Sequence, residues 1–222
     1  MGISQSIKPN IADMDSQPPS PPASPWPSAK ERQESRQAKS EAVLRTAVRL
    51  FNERGFAGTS LDDVAAQLNV TKPVIYRYFP NKDQILFECV RMGLTQILEA
   101  STGAAAQPGA AYDRLMALMR RYAEIMTEDF GMCVIRTGDH ELQPASRRKF
   151  RAHKRKIGLA IRALIVEGIE DGSIAPCDPR LMSFAVAGAL NWIAKWYDPD
   201  GPASGEAIAD QMAQIIARML RP

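Results

Sequence analysis

VLRTAVRLFNERGFAGTSLDDVAAQLNVTKPVIYRYFPNK, residues 43–82, decides how this 222-residue chain is read. Val43, Ala47, Leu50 and Phe51 recur at i, i+4, i+7 and i+8, the spacing of one helix face, and Gly55 stands where a left-handed C-cap is wanted. Ser60 with Asp63 three residues on has the form of a capping box opening a second helix. Leu61, Val64, Ala65 and Leu68 give that helix its buried face. It stops at Asn69, one of the few non-glycine residues that accept the left-handed backbone needed in the turn of a helix-turn-helix. Val70 plugs the turn. Thr71 is placed to cap a third helix, and Pro73 is tolerated in its first turn, where a backbone N–H has no helical partner. Val74, Ile75, Tyr76, Arg77, Tyr78 and Phe79 complete that helix, and Asn81 is positioned to cap a fourth.

A recognition helix presents its N-terminal half to the major groove. The Arg77 guanidinium matches guanine O6 and N7 or a phosphate. The Tyr76 hydroxyl and the Lys82 ammonium suit phosphate oxygens, as do the hydroxyls of Thr59 and Thr71 with the N–H groups of the helix starts. Lys72, Pro73 and Val74, in the first turn, complete the candidate DNA surface. Tyr78 and Phe79 are expected to fill the small core.

The pattern A-x-x-L-F-x-x-x-G-F-x-x-T-S-x-x-D-V-A-x-x-x-x-V-x-K-x-x-x-Y-x-Y-F-x-N-K, running from Ala47 to Lys82, resembles the DNA-binding domain of the tetracycline-repressor (TetR) family. The resemblance implies that Tyr76 and Lys82 clamp the DNA backbone. Asn69 departs from the family, where glycine is usual, and so does Pro73, where glycine is common. The resemblance also implies a homodimer on a palindromic double-stranded DNA operator, controlled by a small-molecule effector.

Composition bounds the rest. The formal net charge is +3, and from Lys30 to Lys82 ten Lys/Arg face six Asp/Glu, a local excess of four positive charges. That suits phosphate contacts without proving them. Cys89, Cys133 and Cys177 are far apart and odd in number, as in reduced cytoplasmic proteins. No apolar run approaches the roughly 18 residues of a membrane span, and no basic-then-apolar leader stands at the start. Residues 1–30, rich in Pro and Ser, are expected to be a disordered tail that buries too little apolar surface to offset chain entropy. The charged segment Ala29–Lys39 either extends the first helix or forms a basic arm.

From Lys82 onward the periodicity is helical throughout. Helices are expected over about 82–101, 110–127, 132–136 and 145–171, with Asp178-Pro179 and Ser204 starting the last two. The run Ser146–Lys156 (SRRKFRAHKRK) holds seven Lys/Arg and no acid. It reads either as a solvated face or as a site for a polyanionic ligand head. Leu115, Met119, Tyr122, Met126, Ile161, Ile165 and Trp192 form a candidate apolar lining beside a basic stripe of Arg147, Arg151 and Arg155, a pairing that suits an amphiphile with an anionic head. Gly188–Tyr197 resembles the penultimate helix of TetR-type regulators that respond to acyl-CoA thioesters, which implies an acyl-CoA or similar amphiphile as effector. Ala185, Gly188, Ala189, Ile208, Ile215 and Met219 are the candidate dimer contacts, on two helices that would pair into a four-helix interface. Asp139-His140-Glu141 lacks the spacing of a metal site, and neither a metal nor a cofactor is expected.

The expectation is therefore an all-α protein: an N-terminal three-helix helix-turn-helix domain at 31–82, then a helical ligand-binding and dimerisation domain at 83–222. Two other classes compete. An enzyme would need a phosphate loop, a nucleophile elbow or a paired ligand motif, none of which the chain displays. A helical adaptor would need no intact DNA-contacting positions.

Overall fold

The structure, a computed structural model, describes residues 26–221, and the expected disordered tail lies almost wholly outside them. All regular elements among these residues are helical: α1 (Ala29–Arg54), α2 (Leu61–Gln67), α3 (Lys72–Tyr76), α4 (Lys82–Ala105), α5 (Ala111–Thr127), α6 (Asp129–Arg136), α7 (Pro144–Glu170), α8 (Pro179–Trp196) and α9 (Gly205–Leu220), with a single 3-10 turn at Asp139–Glu141.

Of the described residues, 26–36 belong to a unit of their own. Ser28 Oγ accepts from Glu31 N at 3.2 Å, and Ser28 N donates to the Glu31 carboxylate at 2.6 Å. This reciprocal pair satisfies donors that a helix start leaves free, so α1 begins at Ala29. The charged segment therefore extends the first helix. Glu31 is held below the usual carboxylate range by those bonds to Ser28.

In the second unit, from Gln37 on, α1 buries Val43, Leu44, Ala47, Val48, Leu50 and Phe51 and ends at Gly55, whose φ of +74° is the left-handed C-cap. These side chains meet Leu61, Val64 and Ala65 of α2 and Ile75 of α3 in a small three-helix core. The α2–α3 turn bends at Asn69, with φ +52°, the only non-glycine residue with positive φ among those described. Helix α3 is shorter than expected and ends at Tyr76; Arg77 and Tyr78 form the turn beyond it. Helix α4 packs against α5, α6 and α7, while α9 packs on α5 and α8 on α5, α6 and α7. Cys89 of α4 lies against α1, its thiol 3.7 Å from Leu44 O, and the buried Leu94, Ile97 and Ala104 continue along the bundle. The buried side chains make one continuous cluster from Val43 to Leu220. Asp178 caps α8 by accepting from Arg180 N and Leu181 N, and Ser204 caps α9 by accepting from Ala207 N.

A β-branched side chain at Asn69 would clash in the left-handed region. Asn69→Val is expected to lower stability by about 1–2 kcal/mol, whereas Asn69→Gly leaves it unchanged or slightly raised. Thermal unfolding distinguishes the two, and equal stability of both variants would contradict the assigned turn.

Candidate nucleic-acid interface and effector pocket

The helix-turn-helix is held by local bonds. Ser60 N and Oγ donate to Asp63 Oδ2 at 2.7 and 2.6 Å, and Asp63 N returns to Ser60 Oγ at 3.1 Å. Those bonds hold the Asp63 carboxyl below its usual range. Thr59 is buried, and its hydroxyl lies 3.2 Å from Leu50 O and 3.0 Å from Gly55 O. The phosphate contact expected of Thr59 therefore does not fit: its hydroxyl ties the end of α1 to the start of α2. Thr71 occupies the N-cap of α3 but makes no side-chain cap bond, contrary to expectation, and stands exposed beside Pro73.

Tyr76 and Arg77 are exposed, Val74 is half-buried, and Ile75 and Phe79 fill the core. Lys72 Nζ lies 2.8 Å from Asp62 Oδ2, and this bond and charge push its pKa up. Lys82 Nζ sits 4.1 Å from the centroid of the Phe56 ring, which in turn packs edge-on against Phe51 at 5.5 Å. Partial burial pulls the Lys82 pKa down, and the charges of Glu141 and Asp63 oppose that. Thr71, Lys72, Pro73, Val74, Tyr76, Arg77 and Lys82 thus share the surface of α3 and the start of α4.

A cavity of about 310 Å3 opens between α4, α5, α6, α7 and α8. Leu94, Tyr122, Val134, Ile157 and Ile161 give it an apolar wall, and Lys154 and Arg155, both exposed, also line it. Tyr122 Oη donates to Asn191 Oδ1 at 2.8 Å, a polar pair in that wall; burial pushes the phenol pKa well up. Of the expected lining and basic stripe, Tyr122, Ile161 and Arg155 are present. Leu115, Met119, Met126 and Ile165 are fully buried in the surrounding core, and Trp192 is 65% exposed on the outer side of α8. Arg147 donates to Leu142 O at 3.1 Å and Arg151 to Asp139 Oδ2 at 2.6 Å, so neither reaches the cavity. They share a helix face with Lys154 but lie too early along α7: at 1.5 Å per residue, Arg147 is about 10 Å from it along the axis. Asn191, missed in the sequence, had one available signal, a lone amide in the otherwise apolar stretch 184–194.

The outer side of α8 and α9 is apolar and exposed: Leu181, Phe184, Trp192, Trp196, Ile215 and Met219 are each 40–66% accessible. Ala185 and Gly188 lie among them, and a Cβ built on Gly188 would meet nothing within 4 Å. Such a patch exceeds what scattered surface hydrophobes produce. Ala189 is half-buried at its margin. Ile208 is only 7% exposed and packs inside its own protomer, so it does not belong to this face. Among the described residues no group of three or more His, Cys, Asp or Glu is placed to hold a metal, and no helix is long and apolar enough to cross a membrane.

Comparison with known proteins follows this division. Residues 43–89 match the model of bacterial regulatory proteins of the tetR family, and residues 108–220 match that of the tetracyclin repressor-like C-terminal domain. The fold is similar to that of PfmR from Thermus thermophilus, a TetR family transcriptional regulator. The TM-score is 0.73 and the identity 30%, over 79% of this chain and 97% of that one. It is also similar to AibR, solved in complex with isovaleryl coenzyme A and operator DNA, with TM-score 0.70 and 30% identity over 80% and 97% of the two chains. The HTH-type transcriptional repressor KstR2 of Mycolicibacterium smegmatis is 23% identical over 189 residues, 81% of this chain and 89% of that protein.

The Tyr122–Asn191 pair yields a structural test. Tyr122→Phe removes the donor and is expected to cost about 1 kcal/mol in chemical denaturation. Adding Asn191→Leu recovers part of the loss, because the acceptor left without a donor goes with it. A Tyr122→Phe protein as stable as the parent would contradict the bond.

Proposed function

Because the chain belongs to the tetracycline-repressor (TetR) family of transcriptional regulators, we propose that it acts as a homodimeric repressor. In this reading it binds a palindromic operator and is released by a small amphiphilic effector. Residues 31–82 read DNA, and residues 83–222 hold the effector and the second copy. The observation that carries the reading is the surface of α3 and the start of α4. There Tyr76 and Arg77 stand exposed and Lys82 sits beside the first backbone N–H groups of a 24-residue helix. Donors of this kind suit phosphate oxygens and base edges. The apolar outer face of α8 and α9 supports pairing of two copies through Ala185, Gly188, Ile215 and Met219. The protein acts by binding rather than by catalysis, in the compartment that holds its DNA.

For the effector, AibR's complex with isovaleryl coenzyme A supports a CoA thioester. The cavity of about 310 Å3 suits a short acyl chain, and Lys154 and Arg155 suit the phosphates of the head.

The DNA reading is tested with duplexes that the protein selects from a random pool. Lys82→Ala is expected to weaken all sequences alike and to flatten the log–log salt dependence by about 0.9. Arg77→Ala is expected to relax discrimination at one symmetric position by about 1–3 kcal/mol. Unchanged binding in both variants would sink the assignment of α3 to the groove, and an adaptor would select no DNA at all. For the effector, isovaleryl-CoA should bind at least about tenfold more tightly than isovalerate, given the strength of charge-assisted bonds. Neutralising Lys154 and Arg155 to Gln should remove that advantage. Equal binding of acid and thioester would exclude the CoA reading and leave the regulator reading standing.

A further inference from the structure

Arg136 is the last residue of α6, and its guanidinium serves the ends of two further helices. Nε donates to Ala194 O at 2.8 Å and Nη2 to Tyr197 O at 3.4 Å, in the last turn and at the C-cap of α8. Nη1 donates to Asn52 O at 3.1 Å, in the last turn of α1. The final carbonyls of a helix have no partner within it and carry the negative end of its dipole. A single cation therefore satisfies orphan acceptors from two elements at once, and a planar, forked donor set is suited to doing so.

The elements it joins have different tasks. Helix α1 is the scaffold of the helix-turn-helix. Helix α8 walls the effector cavity with Ser183, Ala187 and Asn191 and carries the apolar outer face. Helix α6 contributes Val134 and Ile135 to the same cavity, just before Arg136.

The joint is not closed by packing. A cavity of about 120 Å3 lies beside the guanidinium, lined by Phe51, Asn52, Phe56, Cys133, Thr137 and Glu141. Asn52 Oδ1, in the same wall, is buried without a hydrogen-bond partner. Where side chains do not interlock, directional bonds must fix orientation. Besides those of Arg136, the bonds across the α1–α6 contact are Asn52 Nδ2 to Asp129 O at 2.9 Å and the exposed Arg49–Asp129 pair at 3.3 Å. The second of these is a surface ion pair of little strength.

We infer that Arg136 is a positioning residue that fixes the helix-turn-helix against α8 and thereby sets the spacing between operator half-sites that the dimer accepts. This rests on the dimeric DNA-binding reading above. It assigns to Arg136 no contact with DNA or effector.

The test takes the half-sites selected by the wild-type protein and re-synthesises them with spacers one base pair shorter and longer. Arg136→Gln should bind the selected spacing about two- to thirty-fold more weakly, the range of mutations that act through coupling. Its penalty for the altered spacers should shrink, and its salt dependence should stay that of the wild type, because no phosphate contact is lost. Arg136→Lys should recover part of the spacing discrimination. A second readout needs no DNA. Spin labels at Ala57→Cys in a Cys177→Ser background should give a broader distance distribution between the two copies when Arg136→Gln is added.

A folded, dimeric Arg136→Gln protein with unchanged spacer discrimination and unchanged label distances overturns the proposal. A salt slope flatter by about 0.9 overturns it in favour of a direct phosphate contact. If Arg136→Gln does not fold, Arg136→Lys, measured the same way, decides. If the wild-type protein selects no duplex, the DNA reading is what fails, and the label distances alone decide the role of Arg136.

Discussion

The close crossing of α4 and α6 at Gly93 is the contact on which the arrangement of the site depends. A Cβ at position 93 would come within 2.4 Å of Phe130 O and 2.8 Å of its carbonyl carbon, both backbone atoms with nowhere to go. With hydrogen there instead, α6 lies directly on α4. That approach brings Val134 and Ile135 to the cavity between α4 and α8 and Arg136 to the ends of α1 and α8. Upstream of Gly93, α4 meets α1 at Cys89, whose thiol lies 3.7 Å from Leu44 O. Downstream it packs within the bundle. One rigid element is thus shared by both functional halves, and a displacement of α6 is felt at both.

The reach of the sequence differed from element to element, for identifiable reasons. The helix-turn-helix was legible because its information is local: caps, a left-handed turn and a short apolar stripe lie at fixed spacings in one continuous stretch. The same logic was available at Ser28-Ala29-Lys30-Glu31, which has the S-x-x-E form of a capping box. It went unread because no apolar run follows it, and α1 starts there on its polar side. Thr59 shows the limit of residue type. A hydroxyl at a helix start suits a phosphate equally well whether it points out or in, and only the fold of Gly55 and Leu50 around it turns it inward.

The effector domain was less legible because helical periodicity reports angle and not height. Arg147, Arg151 and Lys154 share a face of α7, yet the cavity spans only the stretch from Lys154 to Ile161. Leu115, Met119 and Met126 have the right angle on α5 but are covered by neighbouring helices. Helix α9 posed a different problem, since it is apolar on two sides. Ile208, Ala209, Ile216 and Leu220 face the protomer's own core, whereas Ile215 and Met219 face outward. A single stripe drawn through both sets merged two interfaces that tertiary packing separates.

Phe184 stands at the border of two surfaces. It lines the proposed effector cavity and is also 60% exposed on the apolar face of α8. Divergence of such a regulator toward a new chemical signal is therefore not free to proceed in the cavity alone. A substitution that reshapes this wall also redraws the exposed apolar face proposed to join two copies. After gene duplication, one change on α8 would both retune the signal and begin to separate the two paralogues into distinct, non-mixing partners.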